Sequence, residues 1–130
     1  MIRHRFKKRE RLRHKRHIQQ LFIKGKRLKL SLLRLYYLPS TQLHDQVLFC
    51  VPKRSVRKAV ERNRIKRALR EAYRLTKYMI NGEEYNTQRF FIAYLYLPHP
   101  HKKPVYANFL QDIKSSMLHL QKAKDEAGKK

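Results

Sequence analysis

Residues 53–78 read KRSVRKAVERNRIKRALREAYRLTKY. At 100° per residue its second half sorts into two faces. Ile65, Ala68, Leu69, Ala72, Tyr73 and Thr76 follow the i, i+3, i+4, i+7 spacing of a helix with one buried stripe. Asn63, Arg67, Arg70 and Arg74 recur at i, i+4, i+7 and i+11 on the opposite side, where Glu71 at the margin is the lone acid. A merely solvated face mixes Glu with Lys in i, i+4 pairs, whereas repeated like charge repels itself. Arginine adds a second indication, because its planar guanidinium forks onto phosphate oxygens and stacks on bases as lysine cannot. The stretch therefore predicts a helix that packs on one side and meets RNA or DNA on the other.

Working outward, the strands flank this helix. Upstream, residues 46–51 (QVLFCV) are apolar on both faces and predict a central strand that Pro52 ends. Before it, Leu28, Leu30 and Leu32 alternate with polar residues, then Leu33, Leu35 and Tyr37 do so in the other phase. That phase change predicts a bulge or two short strands. Residues 39–45 read as a loop. A short helix over residues 13–24 is expected from Ile18, Leu21 and Phe22, with Gly25 ending it in the left-handed conformation. Downstream, Asn81-Gly82 signals a turn, residues 83–87 a loop, and residues 89–97 (RFFIAYLYL) another buried strand. Val105, Phe109, Ile113, Met117 and Leu120 form one face of a helix over residues 105–123.

The order helix, two or three strands, helix, strand, helix predicts a small α+β fold: one mixed sheet with helices packed on it. Residues 1–123 are expected to form a single RNA-binding domain. Within it residues 1–12 make a mobile basic arm, and residues 124–130 follow as a polar tail.

Charge narrows the partners. The chain has 130 residues, with 33 Lys+Arg against 9 Asp+Glu, a formal charge of +24. A surplus of that size points to nucleic acid first and an anionic membrane second. The apolar share of 42%, with eight Tyr and six Phe, speaks for a folded domain rather than a disordered basic tail. The Ala-rich buried face of the long helix suits close packing on a sheet more than lying on a lipid surface. No apolar run approaches the roughly 20 residues of a membrane span, and no secretory signal is visible. A cytoplasmic protein is expected, with its single cysteine, Cys50, as a small buried hydrophobe.

The search for protein-borne chemistry is nearly empty. The nine acids show no DxD or ExxH spacing, His99 and His101 lack companions that would complete a metal site, and three glycines make no phosphate-binding loop. No catalytic residue and no metal ligand is assigned. The chain reads as a binder.

Residues 59–71, AVERNRIKRALRE, resemble the Arg-Asn-Arg signature of the bacterial ribonuclease P protein subunit family, here Arg62-Asn63-Arg64 after a strand and opening a helix. The likeness extends upstream through Arg11-Leu12, Phe22, Gly25 and Tyr36, and covers about residues 7–121. The resemblance implies an α+β sandwich similar to a ribosomal-protein domain, with a left-handed βαβ crossover where a right-handed one is the general rule. It also implies a non-catalytic protein within a ribonucleoprotein endonuclease whose catalytic component is a separate RNA. Magnesium then serves the RNA-catalysed reaction, and the protein alone holds no cofactor. The implied partners are the ribonuclease P RNA and precursor tRNA, whose 5′ leader is removed, with no membrane and no obligate protein partner. By position, Lys53, Arg54, Arg62, Asn63, Arg64, Lys66, Arg67, Arg70 and Arg74 would meet RNA. Ile18, Phe22 and Tyr36 would line a leader cleft between the first helix and the sheet. Ile18 departs from the aromatic that many members carry there. Two other readings of the same charge are a structural RNA-binding protein and a self-sufficient nuclease.

Overall fold

The computed structural model describes residues 6–80 and 88–128. Its elements are α1 (Lys15–Lys24), β1 (Lys26–Lys29), β2 (Leu33–Ser40), β3 (Gln46–Cys50), α2 (Ala59–Thr76), β4 (Arg89–Tyr96) and α3 (Tyr106–Gly128), with single 3₁₀ turns at Lys8–Glu10 and Lys77–Ile80. The four strands lie in the order β1-β2-β4-β3. β1, β2 and β4 pair antiparallel, while β3 pairs parallel to β4 across α2. The expected α+β architecture is therefore observed. The predicted turn at Asn81-Gly82 and the loop at 83–87 lie outside the described residues.

Strand periodicity divides the buried apolar side chains between two layers. Leu33, Leu35 and Tyr37 of β2, Val47 and Phe49 of β3, and Phe90, Ile92, Tyr94 and Tyr96 of β4 share a core with α2 and α3. The intervening Tyr36, Leu38, Leu48, Phe91, Ala93 and Leu95 pack with Leu12, Ile18, Leu21 and Phe22 on the other face. α2 contributes Ile65, Leu69, Ala72, Tyr73 and Thr76 as its buried stripe. α3 contributes Phe109, Ile113, Met117 and Leu120, all fully buried.

The phase change at Leu32-Leu33 is the turn between β1 and β2. Asp112 of α3 clamps it, accepting hydrogen bonds from Ser31 Oγ at 2.6 Å and Leu32 N at 2.7 Å.

Five expectations are corrected. β3 is an edge strand, because the α2 crossover places β4 between it and β2. Its two apolar faces are real, since helices cover both sides of the sheet. Its outer edge is closed by the chain itself: Leu12 N donates to Val47 O at 3.0 Å, and Arg11 bridges Val47. Of the arm expected over residues 1–12, residues 6–12 are therefore packed against the fold, and residues 1–5 lie outside the described residues. Phe6 packs on Phe49 and Tyr73 with ring centroids 5.8 and 5.7 Å apart, and Leu12 is buried. Gly25 is not left-handed but extended, with φ −67° and ψ 153°, because the chain passes straight into β1. Glycine is needed there for closeness: a Cβ would stand 2.3 Å from Leu21 O. Val105 precedes α3 and is exposed, as the chain enters the helix only at Tyr106. Finally, α3 runs on to Gly128 and buries Lys124, so the polar tail does not begin at residue 124.

Candidate nucleic-acid interface

α2 begins after a turn in which Ser55 N and Val56 N both donate to Pro52 O at 3.0 Å. Lys53 and Arg54 ride on that turn and are exposed. The nine basic or polar residues predicted for RNA divide by what their side chains touch. Arg62 is turned back, donating from Nη1 to Val56 O at 3.0 Å and Arg57 O at 2.7 Å, so it braces the loop that aims Lys53 and Arg54. Arg64 spans Glu61 at 3.0 Å and Pro104 O at 3.3 Å, tying α2 to the segment before α3.

Arg74 donates from Nε to Glu71 at 3.0 Å. That bond holds the Glu71 carboxyl below the usual carboxylate range. Lys66 is half-buried on the β3 side. Burial pushes the Cys50 thiol up, and the Lys66 charge pulls the other way. Asn63, Arg67 and Arg70 are exposed, and among the described residues Arg67 and Arg70 have no acid in salt-bridge range. The outward-reaching set is thus Lys53, Arg54, Asn63, Arg67 and Arg70.

On the opposite face of the sheet, α1 lies across β2 and β4 and brings the three predicted cleft residues together. Ile18 and Phe22 are half-buried against the cluster that contains Tyr36. The Phe22 and Tyr36 rings meet edge to face, centroids 4.7 Å apart and planes at 64°. The Arg27 guanidinium sits 5.9 Å over the Tyr36 ring. Tyr36 itself is only 7% exposed, so it backs the pair from within, whereas Phe22 and Ile18 are half-buried and keep part of their surface open.

The structure adds residues that sequence spacing alone does not single out as a site. A groove of about 730 Å³ opens at the start of α1, lined among others by Lys8, Arg9, Arg11, Arg13, His14 and His17. His17 stacks on Phe91 with centroids 4.5 Å apart and planes at 25°, and His14 lies 4.5 Å beyond it at 31°. Burial, then the neighbouring His14 and Arg16 charges, hold the His17 imidazole below the ordinary histidine range. A partial signal does lie in the sequence: His14, His17, Ile18, Leu21 and Phe22 continue one i, i+3, i+4, i+7, i+8 stripe, whose first two places hold histidine. Among the described residues, no group of three or more His, Cys, Asp or Glu could hold a metal ion, and no helix is long and apolar enough to cross a membrane.

Comparison with known proteins places the chain in a family. The family model described as Ribonuclease P matches residues 6–120. The chain is 35% identical over 125 residues to the ribonuclease P protein component of Chlorobium phaeobacteroides, covering 87% of this chain and 85% of that one. It is 34% identical over 114 residues to the counterpart in Chlorobaculum tepidum, covering 79% and 74%. In fold it is similar to a Staphylococcus aureus RNase P protein mutant with defective mRNA degradation activity, with a TM-score of 0.66 at 19% identity over 87% of this chain and 88% of that one.

Proposed function

The chain belongs to the ribonuclease P protein family, and from that premise we propose that it binds the ribonuclease P RNA through α2 and the 5′ leader of precursor tRNA through the α1 cleft. Catalysis is assigned to the RNA, with magnesium entering through the RNA, and the protein to the cytoplasm as a non-catalytic subunit. The observation that carries this reading is the two-sided layout. The exposed arginines Arg67 and Arg70 stand on the helix that covers one face of the sheet. The half-open Phe22–Tyr36 pair stands on the other face. A rigid row of guanidinium groups suits a folded RNA, which is recognised largely by its shape and backbone. Aromatic edges beside scattered cations suit a single strand of varying sequence, because every base has a face to stack.

The leader cleft makes a directional prediction. Phe22→Ala is expected to weaken holoenzyme binding of precursor tRNA by about 5- to 150-fold, the range for loss of one stacked base. Binding of mature tRNA, which lacks the leader, should stay unchanged. Ile18→Phe should move precursor affinity the other way by supplying a ring where this chain has none. Equilibrium binding of both RNAs to the reconstituted holoenzyme decides it. Equal losses on the two RNAs would return Phe22 to a packing role.

A further inference from the structure

The groove at the start of α1 lies beyond the Phe22–Tyr36 pair and holds a three-ring column of its own. The column grades from core to solvent: Phe91 is buried, His17 half-buried and His14 exposed. His17 lies on Phe91 at the 4.5 Å spacing of offset stacking, and His14 continues the column at the same spacing with its plane tilted by 31°. His14 therefore offers an exposed ring whose inner side already rests against His17. We propose that His14 is a second stacking platform for one base of single-stranded RNA, with Arg11 and Arg13 receiving the adjoining phosphates. It lies eight residues of helix, about 12 Å, along the cleft from Phe22. The proposal rests on the leader reading above and extends the strand's path beyond Phe22 and Tyr36.

Three observations carry it. The first is charge: Lys8, Arg9, Arg11 and Arg13 line the groove with no acid among them. Glu10, the acid of this segment, is drawn away to Lys77 Nζ at 2.8 Å, with both side chains mostly buried. Arginine beside a stacking ring is the pairing that single-strand binders use. The second is cost. Among the described residues, His17 Nδ1 is buried without a hydrogen-bond partner, whereas an apolar ring at this place would bury no polar atom. Histidine at residue 17 is thus a poor choice for packing alone, whereas it completes the column that supports His14. The third is continuity, since Phe91 at the base of the column belongs to the same cluster as Ile18, Phe22 and Tyr36. A metal ion is the other ligand a histidine pair suggests. The surrounding cations oppose it, and no third ligand stands near among the described residues.

The test uses the holoenzyme and a ladder of precursor tRNAs whose leaders grow by one nucleotide, with leaderless tRNA as the first rung. His14 caps α1 through no side-chain hydrogen bond, so His14→Ala leaves the helix start intact. His14→Ala is expected to remove one step of the affinity ladder, about fivefold or more, while leaving the leaderless rung and the step removed by Phe22→Ala as they were. His14→Phe should restore the step, since the ring and not the imidazole proton is required. Two outcomes overturn the proposal: His14→Ala matching the unchanged protein at every leader length, or weakening all rungs equally, the leaderless one included. If the unchanged protein shows no gain with leader length, the leader reading itself falls and this proposal with it, a failure seen before any variant is made.

Discussion

Asp45→Ala is expected to lower the stability of the fold by about 3–5 kcal/mol, the cost of leaving a buried partner charge uncompensated. Lys124 Nζ donates to Asp45 Oδ2 at 2.6 Å, and the two side chains are 2% and 10% exposed. Asp45 Oδ1 also accepts the Phe90 amide at 2.8 Å, so one carboxylate ties the loop before β3 to β4 and to the end of α3. Burial lowers the Lys124 pKa, and the Asp45 charge opposes that shift. Without Asp45 the lysine has burial alone acting on it.

The sign of the pH dependence follows. A lysine whose folded pKa lies below its ordinary 10.5 binds fewer protons folded than unfolded between the two values. The deficit in Asp45→Ala should therefore shrink as pH rises toward that value. The double variant Asp45→Ala, Lys124→Met should recover the part of the loss that comes from the stranded charge, because it buries an apolar chain of similar length in its place. It should keep the part due to the Phe90 amide that has lost its acceptor. Urea midpoints of the three proteins measure all of this. A single variant within about 0.5 kcal/mol of the unchanged protein would mean the pair is solvated and contributes nothing.

Arg67→Ala combined with Arg70→Ala is expected to weaken binding of the ribonuclease P RNA roughly 10- to 100-fold at 0.1 M salt. The log–log salt slope should flatten by about 0.7–0.9 for each phosphate that no longer meets a guanidinium. These two arginines are the sharpest choice because both are exposed and neither stands in salt-bridge range of an acid among the described residues. Arg62 and Arg64 already donate to Val56 O, Arg57 O, Glu61 and Pro104 O. Their removal would disturb the loop before α2 and the approach to α3, mixing two effects. Binding titrations across a salt series separate them. Unchanged affinity and slope in the Arg67, Arg70 variant would remove the α2 face from the RNA surface.

The legible parts of this chain are those with a period. The stripe Ile65, Leu69, Ala72, Tyr73 and Thr76 is buried as its spacing requires, and the alternation in β2 and β4 puts successive residues into different layers. Exposure, not partnership, is what such a pattern carries. It does not tell Arg67 from Arg62, because Arg62 is claimed by carbonyls five and six residues away whose direction depends on the loop.

The edge position of β3 is hidden for a similar reason. Strands covered on both faces read alike wherever they stand in the sheet, and the closure by Leu12 joins residues far apart in the chain. The Asp45–Lys124 pair spans 79 positions and sits in no motif. Histidines at residues 14 and 17 do not stand out in a basic chain, because a polar type on an apolar stripe breaks the expected composition. Only the placement of Phe91 beneath His17 turns them into a column.

The most direct measurement is cleavage of precursor tRNA at low magnesium by the purified protein, by a bacterial ribonuclease P RNA, and by the two together. A subunit that works through the RNA should give correct 5′ leader removal in the mixture at a magnesium concentration where the RNA alone is slow, and none by itself. Cleavage by the protein without RNA, or a mixture no faster than the RNA alone, would contradict that role.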